Sequence, residues 1–275
     1  MKQKHIGRGP LLVAAVIALV LLTAAILLLI RAGRERKARA AVKEGVAYLQ
    51  SLEEKDPAVV DVLFKERRQA ELAAQKEVLL KQLYNGEIDV WSLFEDYVLL
   101  GDSRAVGFSY YGCLEADRVF ADGGDTIRKV LDHLEELKAL NPTYIFLCYG
   151  INDVSIGFWN NPEVYAAELI DIVSKLNTEL PDATVIVSSI LPARDPAFDL
   201  SSKWREIPQY SAAVESACKE FGVVFVNNDK IAKDHADLYD IDGIHLQIGF
   251  YDYWGSNLIA AALEHSGNLE VAGEG

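Results

Sequence analysis

The chain has 275 residues, 51% hydrophobic and 25% charged, which excludes disorder and leaves room for one sizeable catalytic domain with appendages. Its formal net charge is −14, from 27 Lys+Arg against 41 Asp+Glu, so nucleic acid is a poor partner for the body: phosphate binding needs the opposite field. Cys113, Cys148 and Cys218 have no CxxC or Cys/His spacing; they suggest neither a disulfide scaffold nor a zinc site and read as small buried apolar residues.

The charge is unevenly spread, with nine basic residues and one acid in residues 1–43. Within that stretch, after a short basic tail (1–10), Leu11 to Ile30 is an apolar run whose only polar member is Thr23. At 1.5 Å per residue, twenty helical residues span a hydrocarbon core of about 30 Å. The run is read as an uncleaved transmembrane helix in contact with membrane lipid. A cleaved signal peptide is the rival reading, because Ala38-Arg39-Ala40 has the small-x-small form, but it stands well past the run behind several basic residues. The basic residues Arg31, Arg34, Arg36, Lys37, Arg39 and Lys43 after the run favour a cytoplasmic body on a positive-inside count. Long C-terminal domains nevertheless cross largely regardless of flanking charge.

Residues 31–88 form a charged segment rich in Ala, Glu, Lys, Leu and Gln, expected to be a stalk of two helices. Asp56 is a candidate N-cap with Pro57 at the first helical position, and Asn85-Gly86 supplies a left-handed stop. Apolar residues follow a heptad-like spacing, but Asp56, Glu66 and Glu77 interrupt the seam. A helical hairpin, or a stalk packed on the body, fits better than a continuous coiled coil.

From residue 89 to 266, short apolar runs alternate with amphipathic stretches. Strands are expected at Tyr97–Leu100, Arg118–Ala121, Thr143–Tyr149, Thr184–Ile190 and Val223–Val226, with helices at about 104–112, 125–140, 162–180, 206–221 and 249–265. The third and fourth runs are nearly continuous in apolar residues, as parallel strands covered on both faces are. The pattern predicts a three-layer α/β/α domain around a five-stranded parallel sheet, followed by a flexible tail at 267–275. Ligands of such sheets sit beyond the carboxyl ends of the strands.

The loops at that end read Gly101-Asp102-Ser103, Gly123-Gly124-Asp125-Thr126, Gly150-Ile151-Asn152-Asp153 and Asp242-Gly243-Ile244-His245. A serine on a sharp strand-to-helix turn exposes its hydroxyl beside backbone N–H groups. A histidine can take its proton, and an aspartate three residues earlier can reach the other ring nitrogen. An asparagine amide and a glycine N–H are two further donors to an oxyanion.

These blocks resemble the SGNH hydrolase superfamily, also called the GDSL lipase/esterase family, over roughly residues 96–265. The resemblance implies a flavodoxin-like fold and hydrolysis of acyl esters without a metal or organic cofactor. It places the nucleophile at Ser103 and the rest of the triad at Asp242 and His245. The oxyanion hole would be Ser103, Gly124 and Asn152. Arg104 departs from the pattern, standing where the name-giving leucine would.

Asp102, Asp125 and Asp153 are expected to order loops. His133 and His235 are expected to face solvent. Phe158, Trp159, Trp204, Tyr239 and Trp254 are read as core in preference to a ligand platform. The expected partner is an acyl ester, with an acetyl or short-chain ester on a cell-surface O-acetylated glycan preferred and the catalytic domain outside the membrane. An O-acyltransferase, a lysophospholipase or lipase, and a non-catalytic surface-binding protein are the alternatives.

Overall fold

The structure is a computed structural model that describes residues 31–51 and 57–267. The expected tail 1–10, the span Leu11–Ile30, the Asp56 cap and the tail from residue 268 lie outside the described residues. Among the described residues no helix is long and apolar enough to cross a membrane. Contacts divide the chain into two units, one ending at Gln69 and one beginning at Ala70. In the first, residues 31–51 are helical (α1), and α2, Pro57–Tyr84, starts on its proline and continues into the second unit. It stops where Gly86 takes a φ of +67° and donates to the Leu83 carbonyl.

The second unit follows the expected alternation. After a 3₁₀ turn at Val90–Leu93 come β1 (Tyr97–Gly101), α3 (Val106–Tyr110) and β2 (Val119–Ala121). A 3₁₀ segment at Ile127–His133 then leads into α4 (Leu134–Leu140) and β3 (Tyr144–Cys148). The rest of the chain runs through α5 (Ile151–Ile156), α6 (Pro162–Glu179), β4 (Thr184–Ser188), α7 (Ile207–Phe221), β5 (Val224–Val226), α8 (Asp229–Asp234) and α9 (Ile248–Ser266). The strands form one parallel sheet in the order β2-β1-β3-β4-β5, which is the flavodoxin-like order with its switch point between β1 and β3.

Strand side chains alternate between two cores. Val98, Leu100, Ile145, Leu147, Val185 and Val187 pack with α4, α6 and α7. Leu99, Phe146, Cys148 and Ile186 pack on the other face with α3, α8 and α9, and with Leu79 and Leu83 of α2. The last turns of α2 thus belong to the second unit, where Tyr84 Oη donates to Asn257 Oδ1 at 2.5 Å and Lys76 pairs with Glu264 at 2.6 Å.

Several local expectations change. The helix expected over 125–140 begins as a long 3₁₀ segment, and the N–H of its first residue, Ile127, which has no acceptor within the helix, is taken up by the Asp153 carboxylate. Residues 151–156, read as loop, are the short helix α5, bounded by Gly150 at φ +135° and Gly157 at φ +74°. His235 does not simply face solvent: its ring stacks on Tyr253 at 3.5 Å between centroids, and His133 lies 5.1 Å from the Phe120 ring. Trp159, Tyr239 and Trp254 are core. Phe158 is exposed, and half-buried Trp204 donates its Nε1 hydrogen to the Ile151 carbonyl. All three cysteines are free; Cys148 and Cys218 are buried, whereas Cys113 is half-buried.

Candidate active site

Ser103 follows β1 directly and stands half-exposed between two buried residues, Asp102 and Arg104. Asp102 makes an Asx turn, its Oδ1 accepting the Arg104 N–H at 3.1 Å, the local bond by which an aspartate shapes a turn. The main-chain N–H of Ser103 makes no hydrogen bond among the described residues. Its hydroxyl lies 3.2 Å from His245 Nε2.

The base and its carboxylate belong to one turn. His245 Nδ1 meets Asp242 Oδ2 at 2.5 Å, while Asp242 Oδ1 accepts the N–H groups of Ile244 at 2.8 Å and His245 at 2.9 Å. Burial pushes the Asp242 carboxyl up, but the hydrogen bonds from the His245 ring and the two N–H groups outweigh it and hold it below the ordinary carboxylate value. Asp242 is therefore the ionised acceptor that selects the Nδ1–H tautomer, leaving Nε2 to face the serine as acceptor. The pair is open to solvent, with side chains 37% and 47% exposed.

Asn152, in the first turn of α5, points its amide at the β2 loop and donates from Nδ2 to the Asp125 carbonyl at 2.9 Å. That uses one of its two hydrogens. Gly124 lies in the same loop at φ +87°, a conformation that favours glycine, and its N–H makes no hydrogen bond among the described residues. Ser103, Asp242 and His245 are thus in one contact chain, and Asn152 is tied to the Gly124 loop; Ser103, Gly124 and Asn152 follow β1, β2 and β3, while Asp242 and His245 precede α9. A serine hydroxyl within reach of an imidazole that is itself held by a carboxylate is an arrangement able to perform acyl transfer.

Residues 99–248, more than half of the chain, match the GDSL-like lipase/acylhydrolase family. The chain belongs to that family. It is accordingly an ester-hydrolysing enzyme. Similar solved structures include a GDSL-like lipase from Bacteroides thetaiotaomicron, 20% identical over 62% of this chain and 88% of that one, TM-score 0.48. An acetylxylan esterase from Geobacillus stearothermophilus is 17% identical over 61% and 94%, TM-score 0.46. A lipase/acylhydrolase from Enterococcus faecalis is 17% identical over 62% and 97%, TM-score 0.48. These likenesses are too distant to carry a substrate across. No curated protein matches the chain.

Two carboxyls expected to order the loops of this acylhydrolase are perturbed by their surroundings. Asp153 is buried; its Oδ1 accepts the Ile127 N–H at 3.0 Å, and its Oδ2 has no partner among the described residues. Burial raises its pKa to about 7. Burial and the neighbouring Asp122 raise Asp125 as well. Among the described residues no group of three or more His, Cys, Asp or Glu side chains is placed to hold a metal.

Proposed function

We propose that the enzyme is a serine esterase that removes acetyl or short acyl groups from a cell-surface glycan through an acyl-enzyme. His245 Nε2 takes the Ser103 proton as Oγ attacks the ester carbonyl, and Asp242 stabilises the imidazolium. The oxyanion is held by the N–H groups of Ser103 and Gly124 and by the free Nδ2 hydrogen of Asn152. Collapse of the tetrahedral intermediate expels the alcohol, which takes its proton from His245. The same imidazole then deprotonates water, whose attack releases the acid and regenerates Ser103.

The observation that carries this reading is the continuous chain Asp242–His245–Ser103 at 2.5 and 3.2 Å. The openness of the base supports an ester displayed on a bulky polymer. In the same reading Leu11–Ile30 crosses the membrane and the body lies outside it. A membrane-impermeant protease applied to intact cells is expected to digest the body; complete protection before lysis would place it inside.

A lipid ester is the second reading, favoured by the apolar side chains beside the base: Ile241 is 91% exposed, and Ile248 is also exposed. Fluorophosphonate labelling followed by a screen of acetyl to long-chain esters separates the two. The fragment should start at Ala70 so that Leu79 and Leu83 stay in the core. A Ser103 adduct with preference for acetyl esters is expected. Preference for long chains would move the substrate to lipid, a label elsewhere would remove the nucleophile, and acyl transfer to an added glycan would make the enzyme a transferase.

A further inference from the structure

We infer that the buried Asp102–Arg104 pair is the positioning element of this site, holding the turns that carry nucleophile, oxyanion amide and base in one register. The inference rests on reading Ser103 as the nucleophile. The two residues flank Ser103 in sequence and are withdrawn from water, 0% and 2% exposed. Asp102 Oδ1 accepts both the N–H of Arg104 at 3.1 Å and its Nε at 3.4 Å. The side chains on either side of Ser103 therefore close on each other beneath the turn, and the serine hydroxyl is left on the outer side. A carboxylate buried this deeply needs a compensating charge. Leucine at 104 would supply none.

Each link from the pair ends beside a different part of the site. Asp102 Oδ2 accepts the Ile151 N–H at 3.3 Å, one residue before Asn152. Arg104 Nη1 donates to the Leu191 carbonyl at 2.6 Å, in the segment after β4. Three residues further on, the Arg194 N–H donates to the Gly243 carbonyl at 2.8 Å, inside the Asp242–His245 turn. The Arg104 carbonyl accepts the Tyr251 hydroxyl at 2.8 Å, from the first turns of α9 just past His245. A guanidinium suits this place because its fork reaches Asp102 and Leu191 at once, which a single ammonium does not. The pair touches no reacting atom; its effect on chemistry is through the placement of Ser103, Asn152 and His245, for which about 1 Å of error can cost a hundredfold in rate.

The test is steady-state hydrolysis of p-nitrophenyl acetate by the full chain, with active sites counted by fluorophosphonate and melting curves recorded in parallel. R104K keeps a cation in the core and loses one of the two links, so kcat per labelled site should fall by about tenfold with KM within about twofold. D102N/R104L leaves no unpaired charge, and its single amide oxygen cannot accept from both residue 104 and Ile151. Its kcat should fall by about thirtyfold or more, again with little change in KM. R104K decides alone if the double variant does not fold. Folded variants that turn over within about twofold of wild type per labelled site would overturn the inference, whatever their melting temperatures. A wild-type enzyme whose Ser103 takes no label would instead overturn the nucleophile itself.

Discussion

The two turns that meet at the site are built on opposite principles. The Asp242–His245 turn is local: carboxylate, ring and both N–H bonds lie within four residues, and the side chains stand in water. The Ser103 turn is held from a distance, by Asp102 and Arg104 reaching Ile151, Leu191 and Tyr251 across the fold. The internal geometry of the local device is set by its own residues, with the Arg194 N–H on the Gly243 carbonyl fixing only where it sits, whereas the distributed one forms only once the whole sheet has formed. Chemistry should therefore be separable from stability in the first turn, and the two should be entangled in the second.

The largest effect is expected at the point where the two turns touch. Ser103→Ala removes a small, half-exposed hydroxyl, so turnover should fall by about a thousandfold or more with an unchanged melting curve. Turnover within a few-fold of wild type would separate the turns functionally. Asp242→Asn sharpens the local side. The amide oxygen can still accept the Ile244 and His245 N–H bonds, but the group no longer stabilises an imidazolium, so kcat should drop by about a thousandfold at near-normal stability. A large melting shift without that loss would mean the turn is structural.

Asn152→Ala tests the distributed side more gently. The loss of an oxyanion donor predicts about a hundredfold lower kcat with KM little changed. Its bond to the Asp125 carbonyl adds about 1 kcal/mol of lost stability. Near-normal turnover per folded molecule, with a large melting shift, would make it a scaffold residue.

The smallest effect concerns Asp153. Its native pKa, raised by burial from the ordinary carboxylate value to about 7, favours the protonated form in the folded state. That contribution is complete below about pH 4 and is lost as pH rises through 7. Asp153→Asn keeps an acceptor for the Ile127 N–H and carries no proton to lose. The melting advantage of the variant over wild type should grow from near zero at pH 4 to about 10 °C at pH 8, with turnover per folded molecule little changed. A difference that does not vary with pH would show that the native carboxyl is not perturbed.

The same contrast explains what was legible in the sequence. The spacing of Asp242 and His245 and the short apolar strands could be read directly, because each depends on neighbours along the chain. Arg104 could be recognised only as a departure from the family pattern. Its partner Leu191 lies 87 residues away and bonds through a backbone carbonyl, which no side-chain pattern records. The helix α5 was hidden because six residues are too few for periodicity, although Gly150 and Gly157 mark its ends. The pairing of His235 with Tyr253 joins an acidic loop to a helix, a contact that composition does not reveal. Packing of the stalk on the body was one of the two arrangements the sequence allowed, but the charged residues around Leu79 and Leu83 hid which turns of α2 would enter the core.

The outermost strands have a consequence for colloidal behaviour. β2 and β5 have three residues each, while β1, β3 and β4 have five. Unpaired peptide groups on a sheet margin are templates for another chain to add a strand, and very short margins are one way proteins limit such growth. A stranger's backbone would find at most three residues on either side to register against, too few to nucleate a stable ladder. An acidic body carrying this sheet can be crowded at high local density without its sheets fusing.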